Sequence, residues 1–168
     1  MSPLVKCLKV TTYSPEATQK LGICLGMLAR PGDVYLLVGN LGAGKTCLTQ
    51  GIAWGLGINE HALSPSFVLI RELKGRLPLY HVDLYRLNQL EEVADIGLDD
   101  YFYGKGVSVV EWADKAMELL PAENLMVKIS CPDEYERTFK FLPNGKRYRL
   151  LLSRLRKEHS VEKHATGD

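Results

Sequence analysis

Continuous apolar runs alternate with amphipathic stretches along this chain. DVYLLVG, residues 33–39, is bounded by turn residues and predicts a buried strand of a parallel sheet. GVSVVEW, residues 106–112, is a second such run and predicts another central strand. SFVLIREL and LPLYHVDLYR are shorter strand patterns joined by the turn KGR, which predicts a hairpin. NLMVKISC and ERTFKFL predict two further strands, with PNG turning the chain after them, and LVKCLKVTT predicts a short strand near the start. Between these lie helical patterns. SPEATQKLGICLGMLAR starts with Ser14 as N-cap and Pro15 in the first turn, and repeats Leu21, Cys24, Leu25 and Leu28 on one face before Pro31-Gly32 ends it. KTCLTQGIAWGLG predicts a helix closed by Gly57. LNQLEEVADIGLDDYF is helical up to a break near Gly97, ADKAMELLP is a short helix stopped by Pro121, and KRYRLLLSRLRK is the last helix. The sum is a single-domain α/β fold, a mixed central sheet flanked by helices, over residues 1–158. Residues 159–168 are expected to be a polar, disordered tail.

Composition narrows the class. The 168 residues suffice for one domain with a sizeable core. A formal net charge of +1 lacks the basic excess of a chain that grips nucleic acid alone. The basic run at 146–157 reads first as a solvated helix face. Cys7, Cys24, Cys47 and Cys131 show neither CxxC nor zinc-finger spacing, so free thiols in a reducing cytoplasm are expected. No apolar stretch approaches the length of a membrane span, and lysines interrupt the N-terminal run.

The chemistry concentrates after the first apolar run, in LLVGNLGAGKTCLTQG. Gly39, Gly44, Lys45 and Thr46 form the spacing GxxxxGK[ST], between a predicted strand and a predicted helix. Glycines at 39, 42 and 44 let the backbone turn tightly and aim amides inward, with Asn40, Leu41, Ala43 and Cys47 completing a cradle for phosphates. The helix adds its positive end, Lys45 reaches the β- and γ-phosphates, and Thr46 offers a hydroxyl to Mg²⁺. Mg²⁺ then needs a carboxylate at the end of a neighbouring strand. Glu111 is assigned to the metal shell through water, and Asp83 to orienting the attacking water or supporting the metal's ligands; the two roles are interchangeable on sequence alone. Trp112 is either a core aromatic or a wall beside the nucleotide. In LSPSF, Ser64 and Ser66 are candidate γ-phosphate sensors, stiffened by Pro65. His81, two residues from Asp83 in a strand pattern, reads as a packed or hydrogen-bonded histidine. No guanine-reading NKxD segment occurs, so ATP is the expected nucleotide.

GNLGAGKT, SPSF, YHVDLYRL and VVEW occur in this order and at intervals that resemble the TsaE (YjeE) family of bacterial ATPases. The likeness covers nearly the whole chain, and its HxDxYRL and VEW segments are far more specific than the glycine loop. The resemblance implies a role in threonylcarbamoylation of adenosine 37 in tRNAs that read codons starting with A. It implies a partner complex of TsaB and TsaD, in which TsaD is the transferase and ATP hydrolysis resets the complex between turnovers. It places Lys45 and Thr46 on phosphate and Mg²⁺, Glu111 in the metal shell, Asp83 as the second functional carboxylate and Trp112 near the nucleotide. Arg137 matches a family position near the base or ribose. Ser66 departs from the family's usual threonine, keeping the hydroxyl but losing the methyl that stiffens it. The tRNA is expected to be reached through the complex. A small-molecule kinase and a nucleotide-dependent binding module are the competing readings. No arginine-rich kinase lid is visible between the strands, and Arg71 and Arg86 are the arginines nearest to serving as a finger. Slow ATP turnover by the isolated chain, raised by partners, is therefore expected.

Overall fold

The computed structural model describes residues 5–40, 42–61 and 70–165, with side chains as far as residue 159. Among them seven strands form one mixed sheet. These are β1 (Leu8–Thr12), β2 (Val34–Val38), β3 (Ile70–Leu73), β4 (Leu79–Asp83), β5 (Val107–Glu111), β6 (Asn124–Ser130) and β7 (Arg137–Asn144), in the order β1-β7-β6-β2-β5-β4-β3. β2 is parallel to β5 and β6, and β4 is parallel to β5. The outer pairs β1–β7, β6–β7 and β3–β4 are antiparallel. The apolar runs of β2 and β5 are buried on both faces, as expected of central parallel strands.

One face carries α1 (Pro15–Leu28), α2 (Lys45–Gly55) and α5 (Lys146–Ala165) over a core that includes Tyr35, Leu37, Val109, Phe139 and Phe141. The other carries α3 (Leu90–Ala94) and α4 (Asp99–Phe102) over Leu36, Val82, Val110 and Phe102. Ser14 caps α1 by accepting from the Ala17 amide at 3.1 Å. α1 and α2 pack through Gly22, Gly26, Gly51 and Gly55, so closely that a Cβ on Gly51 would lie 2.2 Å from the Gln19 carbonyl oxygen.

Four local expectations need correction. Residues 113–121 form two 3₁₀ turns, Ala113–Lys115 and Met117–Leu119, because Ala116 leaves helical geometry to enter the core. Residues 87–102 break as expected at Gly97, which takes φ +75°, but the helix before it is shorter than expected, Leu90–Ala94, and a second turn, Asp99–Phe102, follows. The turn expected at PNG falls on Gly145 alone, with φ +120°. β7 continues through Pro143, which pairs with Leu125 of β6, beyond the last β1 partner at Phe141, where β7 has β6 alone beside it among the described strands. The polar segment expected to be disordered from residue 159 is helical as far as Ala165.

Candidate functional site

The parallel register brings the C-terminal ends of β2, β5 and β4 to one edge, with Leu37 opposite Glu111 and Glu111 opposite Asp83. Loops leaving that edge of an open parallel sheet form a crevice. The glycine loop leaves β2 here and enters α2 at Gly44, whose φ of +110° favours a residue without Cβ. The loop amides and the first turn of α2 therefore meet the two acids.

Lys45 is 6% exposed, and its ammonium donates to the carbonyls of Gly39 at 2.5 Å and Asn40 at 2.8 Å. It also stands 4.1 Å above the Trp112 ring. Burial lowers its pKa, while the carboxylates of Glu111, Asp83 and Asp114 act in the opposite direction. Trp112 holds its place with a left-handed backbone, φ +60°, and its ring packs against Tyr85 at 4.9 Å. It thus packs beside Lys45 and also touches the core beneath α3 and α4.

Glu111 is 2% exposed and engaged through both oxygens. Its Oε1 accepts from the Thr46 hydroxyl at 3.2 Å, and its Oε2 lies 2.5 Å from His81 Nε2. Asp83 is half-buried, and its Oδ1 accepts from the Tyr85 amide at 2.9 Å. The structure thus brings Lys45, Thr46, Asp83, Glu111 and Trp112 together.

On the far side of the loop, a cleft of about 460 Å³ is lined by Tyr13, Ser14, Gly44, Cys47, Tyr135 and Arg137. Arg137 donates to the carbonyls of Asp133, Glu134 and Glu136, which braces that wall. The Cys47 thiol donates to the Pro15 carbonyl, and burial, then Glu16, push its pKa up. Gly42 and Ala43 sit in the described loop, whereas Leu41, Ser64, Pro65 and Ser66 lie outside the described residues. Arg71 is turned to Glu60 and the His61 carbonyl, and Arg86 sits on an exposed segment after β4.

The sequence reading missed that the partner of His81 is Glu111. The available signal was its spacing of two from Asp83, which puts both on one face of β4. Tyr13, Tyr135 and Asp114 had no comparable signal.

A strand, a glycine loop and a helix N-terminus, with two acids at the adjoining parallel strand ends, define a P-loop nucleotide-binding domain of the α/β class. Within that class, a sequence model of the threonylcarbamoyl adenosine biosynthesis protein TsaE family matches residues 12–139. The tRNA threonylcarbamoyladenosine biosynthesis protein TsaE of Bacillus subtilis is 44% identical over 158 residues, 94% of this chain and 99% of its own length. The Treponema pallidum protein of the same name is 41% identical over 73% of this chain and 90% of its own length. The crystal structure of Bacillus subtilis YdiB superposes with a TM-score of 0.82 at 42% identity, covering 94% of this chain and 99% of that one. The chain belongs to the TsaE family.

Proposed function

We propose that this protein is an Mg²⁺-dependent ATPase that supports repeated threonylcarbamoylation of tRNA by a TsaB–TsaD complex. The observation that carries the proposal is the junction of the glycine loop with the acids, where the Thr46 hydroxyl meets buried Glu111 beside Asp83. Thr46 Oγ1 and Glu111 Oε1 are hard oxygen donors 3.2 Å apart, which suits a Mg²⁺ ion that takes few protein ligands besides phosphate oxygens and water. Bound there, Mg²⁺ neutralises charge on the phosphates.

The chain's own groups do the rest. The amides of residues 42–46 and the first turn of α2 face the β-phosphate. Lys45 exchanges the Gly39 and Asn40 carbonyls for β- and γ-phosphate oxygens, and at the transition state it stabilises the charge spreading onto them. Glu111, oriented by His81 and set beside the Thr46 hydroxyl, is placed to hold the metal shell. Asp83, half-buried, has the access to orient the attacking water. The cleft beside Arg137 takes the nucleoside, and Trp112 closes the phosphate side. Ser66 serves as the γ-phosphate sensor. Arg71 is turned to Glu60, which is in keeping with slow turnover until a partner completes the site.

The membership supports the pathway, since the curated relatives carry tRNA threonylcarbamoyladenosine biosynthesis in their names. The tRNAs are those that read ANN codons, and they are met through the complex, in keeping with the formal net charge of +1. No helix among the described residues is long and apolar enough to cross a membrane.

The test is a reconstituted modification assay with TsaB, TsaD and threonylcarbamoyl-adenylate over many turnovers. The chain is present, absent, or carries Glu111→Ala. Modification that stalls near one round unless the intact chain and ATP are present supports the proposal. Modification indifferent to the chain overturns it, and a phosphorylated acceptor would mark a kinase instead.

A further inference from the structure

His81 is a fully buried histidine with no direct place in the chemistry proposed above. It sits in the middle of β4 at 0% exposure. Its side chain emerges on the face that carries Asp83 and, on the adjoining strand, Val109 and Glu111. Nε2 lies 2.5 Å from Glu111 Oε2, whereas Nδ1 is buried and has no hydrogen-bond partner among the described residues.

That asymmetry is informative. A packing histidine needs neither nitrogen satisfied at the expense of the other, and a buried polar atom without a partner costs about 1–3 kcal/mol. A structure that tolerates this at Nδ1 while making a short bond at Nε2 has a use for the Nε2 bond. Glu111 explains the use. A glutamate has three rotatable side-chain bonds, and at a strand end it can turn either oxygen toward its surroundings. With Oε2 engaged by the imidazole, the carboxylate plane is set and Oε1 alone faces the Thr46 hydroxyl. The connection runs from mid-strand β4 to the end of β5 to the first turn of α2, so three elements share one polar chain.

We infer that His81 is a positioning residue, which fixes the Glu111 carboxylate through Nε2–H so that Oε1 and the Thr46 hydroxyl present a preformed pair to Mg²⁺. This rests on the metal-site reading of Thr46 and Glu111. His81 touches neither nucleotide nor reacting atoms. Its effect is confined to the step in which the metal strengthens nucleotide binding and aligns the phosphates. Outer partners of this kind change metal affinity by about 10–100-fold when removed.

Side-chain isosterism supplies the test. Gln puts an amide N–H near the place of Nε2, Asn puts one near Nδ1, and Leu supplies neither. Nucleotide affinity is measured by calorimetry for the wild type, His81→Gln, His81→Asn and His81→Leu, once with Mg²⁺ and once with EDTA. The expected result is an unchanged affinity in EDTA for all four, which also reports an intact fold. The gain on adding Mg²⁺ should be retained by His81→Gln and should fall by about 10-fold or more in His81→Asn and His81→Leu. A gain retained by His81→Leu, or rescued by Asn and not by Gln, overturns the inference while leaving the metal site standing. A wild type that binds nucleotide equally with and without Mg²⁺ overturns the metal-site reading, and the inference falls with it. The ¹⁵N spectrum of the wild type gives a check that needs no variant. His81 should carry its proton on Nε2, and an Nε2 without a proton overturns the proposal.

Discussion

The proposed function gives Lys45 and the two acids different parts, binding to the lysine and chemistry to Asp83. Lys45 is the loop's buried cation, held over Trp112 and drawn by Glu111, Asp83 and Asp114. Lys45→Ala removes the charge proposed to meet the phosphates. Its ATP affinity should fall by about 2 kcal/mol or more, roughly 30-fold in Kd, in a calorimetric titration. Asp83→Asn keeps the shape and the acceptor for the Tyr85 amide. It should leave nucleotide affinity near wild type while lowering the partner-stimulated turnover by about 10²–10⁴-fold, as followed by phosphate release. Asp83→Asn that loses binding as well would show that the acid holds the nucleotide instead of the water. The separation follows from geometry. Glu111 is tied through both oxygens, whereas Asp83 is half-buried at the strand end.

At the scale of elements, the α1–α2 contact places the cleft beside Arg137 against the loop. Gly22 and Gly26 of α1 face Gly51 and Gly55 of α2, and any Cβ there would meet backbone at 2.2–2.4 Å. Ser14 and Pro15, which line the cleft, lead into one of these helices, and Lys45 and Thr46 begin the other. Gly51→Ala gains about 0.5–1 kcal/mol of helix propensity. It must also push two backbones apart, and overpacking of that kind costs about 1–3 kcal/mol or more. The clash at 2.2 Å involves a carbonyl oxygen and not a flexible side-chain end, so the overpacking prevails. Thermal unfolding should show a net loss of about 2 kcal/mol, a fall in Tm of roughly 4–8 °C. An unchanged or raised Tm would mean that the helices separate without cost.

Across the whole molecule, α5 is tied to the start of β2 by a buried polar cluster at the opposite end from the site. Arg147 binds Asp33 through Nε at 2.9 Å and Nη2 at 2.7 Å, and Tyr148 OH accepts from the Val34 amide at 2.9 Å. Burial pushes the Tyr148 hydroxyl up to about 12 and holds Tyr35 well above the ordinary tyrosine value. The native state therefore keeps these protons after the unfolded chain has released its own. Stability from this source is complete below pH ~10, the unfolded tyrosine value, and is lost as pH rises toward the folded value. Each such tyrosine contributes a slope of up to ~1.4 kcal/mol per pH unit in that window. Urea unfolding between pH 9 and pH 12 should show the decline, and Tyr148→Phe should make it shallower. The same variant leaves the Val34 amide without its acceptor, so at neutral pH it should be less stable by about 1–3 kcal/mol.

The sequence by itself determined the class of the protein and most of the residues of the candidate site. Loop spacing, uninterrupted apolar strands and strand-end acids are local patterns, so Lys45, Thr46, Asp83 and Glu111 could be named from short segments. Helix and turn limits were less legible. Ala116 leaves helix geometry to fill the core, and Pro143 stays in its strand beyond the last β1 partner at Phe141. Only the tertiary structure decided the contacts that join distant segments. His81 meets Glu111 across 30 positions, and Arg147 meets Asp33 across 114. Four glycines that read as ordinary helix residues became a close backbone approach between α1 and α2. The physical reason is common to all three. A pattern of residue types states which face a side chain occupies, but strand order and register choose the neighbour that it meets there.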